Sequence, residues 1–185
     1  MILAQVLLIM ATLMAFLPRR LEWLAAGLGL AALIPLPDGA SVAMGLRGLW
    51  GDPSVTSLQL LIVLLVRRHL EPGFAPLRVD WHGPAAIALI AALFYPLALG
   101  VGNFDPYQLG YQPVLLIGSL GLAALFAWWR GQALWLWLLA IDLLAWAAGI
   151  PESPNLWDTL LDPLLAIVCA VLAVRNGLRT LMKNP

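Results

Sequence analysis

The sequence predicts an all-α protein, a polytopic membrane helix bundle of about seven transmembrane helices with its N-terminus outside and its C-terminus cytoplasmic. Of the 185 residues, 62% are hydrophobic and only 11% are charged, and the mean hydropathy is +0.91. A water-exposed fold of this length has too small an interior to bury so much apolar surface. Proline, glycine and charged residues interrupt the apolar sequence at intervals that fit separate membrane spans.

Seven apolar segments follow one another along what the sequence predicts to be a single transmembrane domain, residues 1–185. A spanning helix needs roughly 20 mostly apolar residues, with about 17 to 25 as the usual range. The predicted spans are 1–18, 21–36, 54–66, 84–101, 113–129, 132–149 and 157–174. The third span is the shortest, so an interfacial or tilted segment is an alternative to a full crossing there.

The first and last segments carry sequence signals at their ends. Arg19 and Arg20 follow the first apolar segment instead of preceding it, and the small-residue cleavage pattern of a signal peptide is missing. The first segment is therefore interpreted as a retained helix. At the start of the last segment, Asn155 fits a helix N-cap and Asp158 complements the positive end of the helix dipole.

The charged residues are distributed unevenly over the predicted loops. With seven spans, one face carries nine basic residues, namely Arg19, Arg20, Arg67, Arg68, Arg78, Arg130, Arg175, Arg179 and Lys183. The opposite face carries Arg47 together with six acids, namely Asp38, Asp52, Asp105, Glu152, Asp158 and Asp162. Because basic loops remain on the cytoplasmic side, this asymmetry sets the orientation. It also predicts multi-pass localisation in a bacterial inner (cytoplasmic) membrane, within the cell envelope.

Asp142 is the only ionisable residue well inside a predicted span. A charge at such a depth costs about 2.5 to 3.5 kcal/mol, so this residue requires an explanation. One interpretation is a proton or cation relay, or a docking contact with a basic group on a partner helix. The other is a neutral Asp142 that hydrogen-bonds a neighbouring helix and contributes only to packing.

The predicted outer loop at 102–113 (GNFDPYQLGYQP) combines polar and aromatic side chains with two glycines and two prolines, a composition typical of an ordered turn. Together with the segment 151–158 (PESPNLWD), this loop predicts a polar surface. The surface is either a structural turn and interface, or a docking site for a cation, sugar or protein partner, or a site of acid/base catalysis if its carboxylates converge. The candidate functional or docking residues are Asp142, Asn103, Asp105, Tyr107, Tyr111, Glu152 and Asp158.

The remaining candidates point to surface contacts and not to a cofactor. Arg67, Arg68 and Arg78 form a basic cluster that either determines topology alone or also contacts anionic lipid headgroups. His69 and His82 lack the spacing to a second ligand that a metal or haem site needs, and a single cysteine excludes a cysteine-based cluster. We therefore expect no catalytic residues, metal or cofactor.

The sequence favours a non-catalytic accessory or scaffold subunit of a larger bacterial inner-membrane complex, which docks partners through helix faces and ordered outer loops. The expected partners are membrane lipid and a larger membrane protein subunit. Nucleic acid is not expected, because the formal net charge is +0. A small transporter or channel that uses Asp142 is the first alternative, and an envelope enzyme that acts on a lipid-linked substrate through outer-face carboxylates is the second.

Overall fold

A computed structural model describes residues 2–69 and 82–183, and these residues form the all-α protein that the sequence predicts. The chain divides into two compact units, unit 1 (Met1–Ala75) and unit 2 (Pro76–Pro185). The prediction that residues 1–185 form a single domain stays a prediction.

Unit 1 is built around its first helix. Its helices are α1 (Ile2–Phe16), α2 (Glu22–Ala31), α3 (Val42–Trp50) and α4 (Val55–His69). Helix α1 carries no charged residue and packs against each of the other three. Its apolar side chains therefore form the centre of this unit.

Short local signals end the helices of unit 1 and start the next ones. After α2, Asp38 and Gly39 make a tight turn, in which Gly39 has a φ of 82° and the Asp38 Oδ1 accepts from the Ala40 N–H at 3.1 Å. Ser41 caps α3 by accepting from the Met44 N–H at 3.2 Å. Helix α3 was not predicted, because its residues lie in what the sequence suggests is a loop between spans two and three.

Unit 2 contains helices α5 (His82–Ala98), α6 (Val114–Trp129), α7 (Ala133–Ala147), α8 (Leu156–Leu160) and α9 (Pro163–Lys183), with a 3₁₀ helix at Pro106–Gly110. Helix α5 packs against α9, α6 against α7, and α7 against α8. The 3₁₀ helix contacts α5, α6 and α8, so it joins the two halves of the unit at one end.

Helices α6 and α7 end in the same way. After α6, Gly131 has a φ of 66°, its N–H donates to the Trp128 carbonyl at 2.9 Å, and the Gln132 N–H donates to the Ala127 carbonyl at 2.8 Å. Gly149 repeats this Schellman motif after α7, also with a φ of 66°. Because L side chains rarely adopt this backbone conformation, each glycine fixes where its helix stops.

The predicted membrane-spanning architecture is wrong. Among the helices of residues 2–69 and 82–183, none combines the length and the apolar character needed to cross a membrane. Helices α1, α4 and α7 have 15 residues each, or about 22 Å at 1.5 Å per residue, against a hydrocarbon core of about 30 Å. The longest helix, α9, has 21 residues, but its apolar stretch ends at Val174, before Arg175.

Turn signals inside the predicted spans explain the shorter helices. Predicted span 21–36 contains the 10-residue helix α2, which ends four residues before Pro35. Predicted span 157–174 is interrupted at Leu161, whose backbone is extended, so α8 and α9 are separate helices. The finding also contradicts the predicted orientation and the predicted multi-pass localisation in the bacterial inner membrane.

Candidate functional site

Hydrogen bonds in unit 2 connect the two segments that the sequence singles out. The Tyr107 hydroxyl donates to Asp158 Oδ2 at 2.8 Å. The Asn155 side-chain amide donates to the Tyr107 carbonyl at 3.0 Å, and the Trp157 indole N–H donates to the Pro106 carbonyl at 2.9 Å. We call residues 105–111 and 155–158 the loop cluster. Three hydrogen bonds therefore join segments about fifty residues apart in sequence, and the interface, docking and catalytic roles of this surface stay predictions.

Each segment of the loop cluster is also organised locally. Asp105 caps the 3₁₀ helix, because its Oδ1 accepts a hydrogen bond from the Tyr107 N–H at 2.9 Å. Pro106 is the first residue of this helix, and its ring fixes its own φ near the helical value. Asn155 caps α8 by accepting from the Trp157 N–H at 2.9 Å. Asn155 is fully buried, and both ends of its side-chain amide are hydrogen-bonded. The oxygen accepts from the backbone of its own helix, and the nitrogen donates to the facing segment.

Gly110 allows these segments to approach closely. A Cβ atom at this position would overlap with Asn155 Oδ1 and lie 2.9 Å from Trp157 Cδ1. The glycine is needed for space and not for an unusual φ, since its backbone has a negative φ. Every larger residue would push Asn155 away from the Tyr107 carbonyl.

Aromatic rings fill the space beneath the hydrogen bonds. The Phe94 ring lies 4.5 Å from the Trp157 ring and 6.3 Å from the Tyr107 ring, measured between centroids. Tyr111 meets Tyr107 edge to face at 5.7 Å, and Tyr95 meets Phe94 edge to face at 5.4 Å. These ring contacts anchor the C-terminal end of α5 to the loop cluster.

Two tyrosine hydroxyls of the site hold their protons more strongly than usual. Burial raises the pKa of Tyr107, and the hydrogen bond to Asp158 raises it further. Burial also raises the pKa of Tyr95, and the charges of Asp162 and Asp158 add to the effect. Both hydroxyls therefore stay protonated at neutral pH and are weaker acids than an exposed tyrosine.

Asp142 lies in the interior of unit 2, on α7. The residue is 1% exposed and is engaged in an interaction within the chain. A partner from outside cannot reach its carboxylate without rearrangement of α7 and its neighbours. The docking, relay and packing roles considered for Asp142 stay predictions, and the burial favours packing.

The other candidates occupy different surroundings. Asn103 and Tyr111 are exposed, and so is Glu152, which has an interaction partner within the chain. Arg67 is exposed near the end of α4. The side chain of Arg68 and the whole of Arg78 lie outside the described residues, so the basic cluster stays a prediction.

Acidic and basic residues lie at opposite ends of unit 2. Asp105, Glu152, Asp158 and Asp162 belong to the end where α5 and α7 finish and α6 and α9 start. Arg130 joins α6 to α7 at the other end, and Arg175 lies twelve residues into α9, about 18 Å from its start. Among its described residues, unit 2 therefore has an acidic end and a basic end.

Several residues of the site were not among the sequence-based candidates. Trp157, Tyr95 and Thr159 contribute to the site or its surroundings, and Thr159 is fully buried with a hydroxyl that has no hydrogen-bond partner among the described residues. In unit 1, the buried Gln5 donates to the Gly51 carbonyl at 2.7 Å, and Arg47 forms an ion pair with Asp52 at 3.0 Å. A glutamine within the apolar segment AQVLLIM was the available signal for Gln5.

Within residues 2–69 and 82–183, no group of three or more histidine, cysteine, aspartate or glutamate side chains has the arrangement to hold a metal ion. Comparisons of the chain with protein families, with curated proteins and with solved structures found no match. The function must therefore be inferred from the geometry of the chain itself.

Proposed function

We propose that this chain is a non-catalytic accessory subunit that docks a larger protein partner through its helix faces and ordered loops. One observation carries the proposal: helices of both units are apolar on the face that packs inward and also on the face that points outward. Folded monomers seldom expose contiguous apolar surface of this kind, and such surface marks interaction sites.

Helix α9 shows the pattern in unit 2. Its Leu165 and Cys169 are buried, whereas Ile167, Val171 and Val174 are exposed. The exposed residues follow the spacing i, i+4, i+7 and therefore form a stripe on the side opposite the buried pair. The exposed stripe of α9 is therefore as apolar as its buried side.

Helix α2 repeats the pattern in unit 1. Ala25 and Gly29 are buried, and Trp23 and Leu30, seven residues apart, lie exposed on another face. Trp is among the residues enriched at protein interfaces. A partner that covers these faces would present an uncharged, apolar surface, as obligate subunits do.

The hydrogen-bonding roles of the carboxylates support a non-catalytic function. Asp105 accepts from a backbone N–H of the 3₁₀ helix, Asp158 accepts from Tyr107, and Asp162 Oδ1 accepts from the Leu165 N–H at 2.8 Å. Cys169 is equally unsuited to catalysis, since burial raises its pKa to about 11 and keeps the thiol protonated. These groups hold the loops and helix ends in place.

The proposal is tested by purifying the tagged chain from its native host in mild detergent, with native mass determination and identification of co-purifying chains. We expect a larger protein in fixed stoichiometry. The Val171→Lys variant should lose that partner, because an ammonium group would have to be buried in the interface. Thr12→Lys is the matched control, since it adds the same group at an exposed helix position that is already polar.

A chain that carries only lipid or detergent, or that forms only homo-oligomers, would contradict the accessory-subunit proposal. The carboxylates of the loop cluster would then become the leading candidates, for catalysis. Retention of the partner by Val171→Lys would show that α9 is not its docking face.

A further inference from the structure

The turn between α6 and α7 carries exposed aromatic rings beside a single cation. At the end of α6, Phe126 is 56% exposed, Trp128 71% and Trp129 76%. Trp137, in the second turn of α7, is 67% exposed, and Arg130 between the two helices is exposed as well. We call these five residues the aromatic tip. It lies at the basic end of unit 2.

The residues around the aromatic tip are packed on their inner side. Leu134 and Leu138 at the start of α7 are buried. The Trp135 ring lies so close to Gly83 of α5 that a Cβ atom at this glycine would overlap with the ring. The turn is therefore held firmly on unit 2, while the aromatic tip is directed away from it.

The rings of the aromatic tip point to different sides of α6. At 100° per residue, Phe126 and Trp128 lie about 100° to either side of the buried Ala127, and Trp129 lies about 160° from it. A rigid protein face covers one side of such a convex end, whereas a fluid lipid interface can surround it. The geometry therefore favours a lipid surface as the occupant.

The backbone of the turn suits a poorly hydrated environment. The N–H groups of Arg130, Gly131 and Gln132 donate to carbonyls in the last turn of α6 at 3.0, 2.9 and 2.8 Å, respectively. A backbone group that lacks a partner is costly where water is scarce. Because these three successive groups are satisfied within the chain, the turn can enter a layer of lipid headgroups without leaving them unpaired.

The charge of the aromatic tip selects the kind of lipid. The Arg130 guanidinium lies 5.9 Å from the centre of the Phe126 ring, so the cation stands beside the aromatic rings. Tryptophan favours the headgroup level of a lipid surface, because its ring is apolar and its N–H is polar. A cation at that level attracts anionic headgroups. The acidic end of unit 2 lies at the other end of α6, where it does not oppose this attraction.

We infer that the aromatic tip docks on the surface of an anionic lipid bilayer, with its indole rings at headgroup level and the Arg130 guanidinium beside a lipid phosphate. The contact is peripheral and places no helix across the bilayer. The inference goes beyond the proposed function, because the larger protein partner uses other faces, such as that of α9.

Vesicle flotation of the purified chain tests the choice of lipid. We expect tighter binding to vesicles of phosphatidylcholine mixed with phosphatidylglycerol than to vesicles of phosphatidylcholine alone. Arg130→Gln should weaken binding to the anionic vesicles about fivefold, because one cation near the surface is lost. Arg20→Gln removes an exposed cation of unit 1 and is the matched control, with binding unchanged.

The contribution of the rings is tested in the same assay. The double variant Trp128→Ala with Trp129→Ala should weaken binding about tenfold or more, because two large side chains no longer enter the interface. Trp23→Ala, which removes an exposed tryptophan of unit 1, is the control and should leave binding unchanged.

The position of the contact is measured with a fluorescent label attached to a single cysteine. In a Cys169→Ala background, Ala133→Cys places the label beside the aromatic tip, and Gln108→Cys places it at the exposed surface of the acidic end. We expect nitroxide-bearing phosphatidylcholine in anionic vesicles to quench the label at position 133 and to leave the label at position 108 bright.

Equal quenching of the two labels would overturn the inference, as would equal binding to neutral and anionic vesicles or unchanged binding by both tip variants. Shielding of the label at position 133 by a host protein in the absence of lipid would also overturn it, since a protein would then occupy the aromatic tip. The vesicle measurements need no host partner, so their failure is distinguishable from failure of the proposed function.

Discussion

Tyr107 illustrates how one residue can join two distant segments. Its hydroxyl binds Asp158, its carbonyl accepts from Asn155, and its backbone N–H is held by Asp105. A tyrosine supplies an apolar ring and a polar tip, so it can pack against Phe94 and still reach a carboxylate. The residue is therefore central to the stability of the loop cluster.

Removing this hydroxyl should destabilise the chain. Tyr107→Phe keeps the ring but deletes the hydrogen bond to a charged acceptor, and bonds of this kind contribute about 1.5 to 3 kcal/mol. We expect a loss near the lower end of that range, because Tyr107 is only partly buried, measured as the free energy of unfolding in urea. Tyr111→Phe removes a hydroxyl that also hydrogen-bonds Tyr107 and serves as the comparison; because the Tyr111 ring is exposed and its hydroxyl is uncharged, this variant should lose less stability than Tyr107→Phe. Equal losses for both variants would contradict the role of the Asp158 contact.

The pH dependence of stability follows from the same hydroxyl. The pKa of Tyr107 is raised above its ordinary value of 10.0, so the folded chain keeps a proton that the unfolded chain releases above about pH 10. Stability should therefore be constant with respect to this group below pH 10 and should fall as the pH rises further.

Urea unfolding between pH 8 and pH 11.5 measures this effect. A chain that carries both Cys169→Ala and Tyr95→Phe is the suitable background, because the pKa of Cys169 is also raised, to about 11, as is that of Tyr95, and each group would contribute a fall of its own. Adding Tyr107→Phe should make the decline above pH 10 shallower. If instead Tyr107 has the same pKa in the folded and unfolded chains, Tyr107→Phe should leave the slope of stability against pH unchanged.

At the scale of elements, packing between helices depends on single small residues. Gly29 in α2 faces α1, where a Cβ atom would overlap with Met10 Cγ and lie 3.4 Å from the Val6 carbonyl. Gly27, two residues earlier in the same helix, has nothing within 4 Å of that position. The two glycines form a matched pair for testing the contact between α1 and α2.

Alanine substitution should have opposite effects at these two positions. Gly27→Ala should stabilise the chain by about 0.5 to 1 kcal/mol, because alanine favours a helix interior over glycine. Gly29→Ala should destabilise it by about 1 kcal/mol or more, because overpacking costs about 1 to 3 kcal/mol and exceeds the helix-propensity gain. Thermal unfolding measures both, and equal shifts in the midpoint would show that α1 and α2 do not pack closely at Gly29.

The start of α9 depends on a buried cap. Asp162 is 5% exposed and accepts from the Leu165 N–H at 2.8 Å, just after the extended Leu161. Asp162→Ala should cost about 1 to 2 kcal/mol in unfolding free energy, since the cap is lost. Asp162→Asn retains an acceptor oxygen and should lose less. A reversed order of the two variants would mean that the capping bond is not the main role of Asp162.

At the scale of the whole molecule, the chain exposes apolar helix faces that need covering. A partner that binds only the folded chain stabilises it by about 2.7 kcal/mol at one hundred times its dissociation constant. We therefore expect the complex from the host to have a higher thermal midpoint and to bind less of a hydrophobic fluorescent dye than the isolated chain. Equal dye binding by both would show that the outward faces remain open in the complex.

Local sequence chemistry determined the helical class and the approximate positions of most helices. Predicted span 132–149 corresponds to α7, Ala133–Ala147, because glycines that permit a positive φ stand at both ends of the apolar segment. Asn155 was correctly predicted as an N-cap, since a short polar side chain before an apolar segment is a local signal. The prediction of membrane spans failed because it joined apolar residues across turns that end the helices early, as at Leu161.

Only the tertiary structure decided which of these residues meet. Tyr107 and Asp158 are fifty-one positions apart, and no local pattern gives the distance between side chains that far apart in a chain. The burial of Asp142 and the exposure of Val171 were equally hidden, because apolar residues surround both positions along their helices and periodicity cannot distinguish an inward face from an outward one. Local backbone preferences determined the helices, whereas contacts between distant segments decided the loop cluster and which apolar helix faces remain exposed.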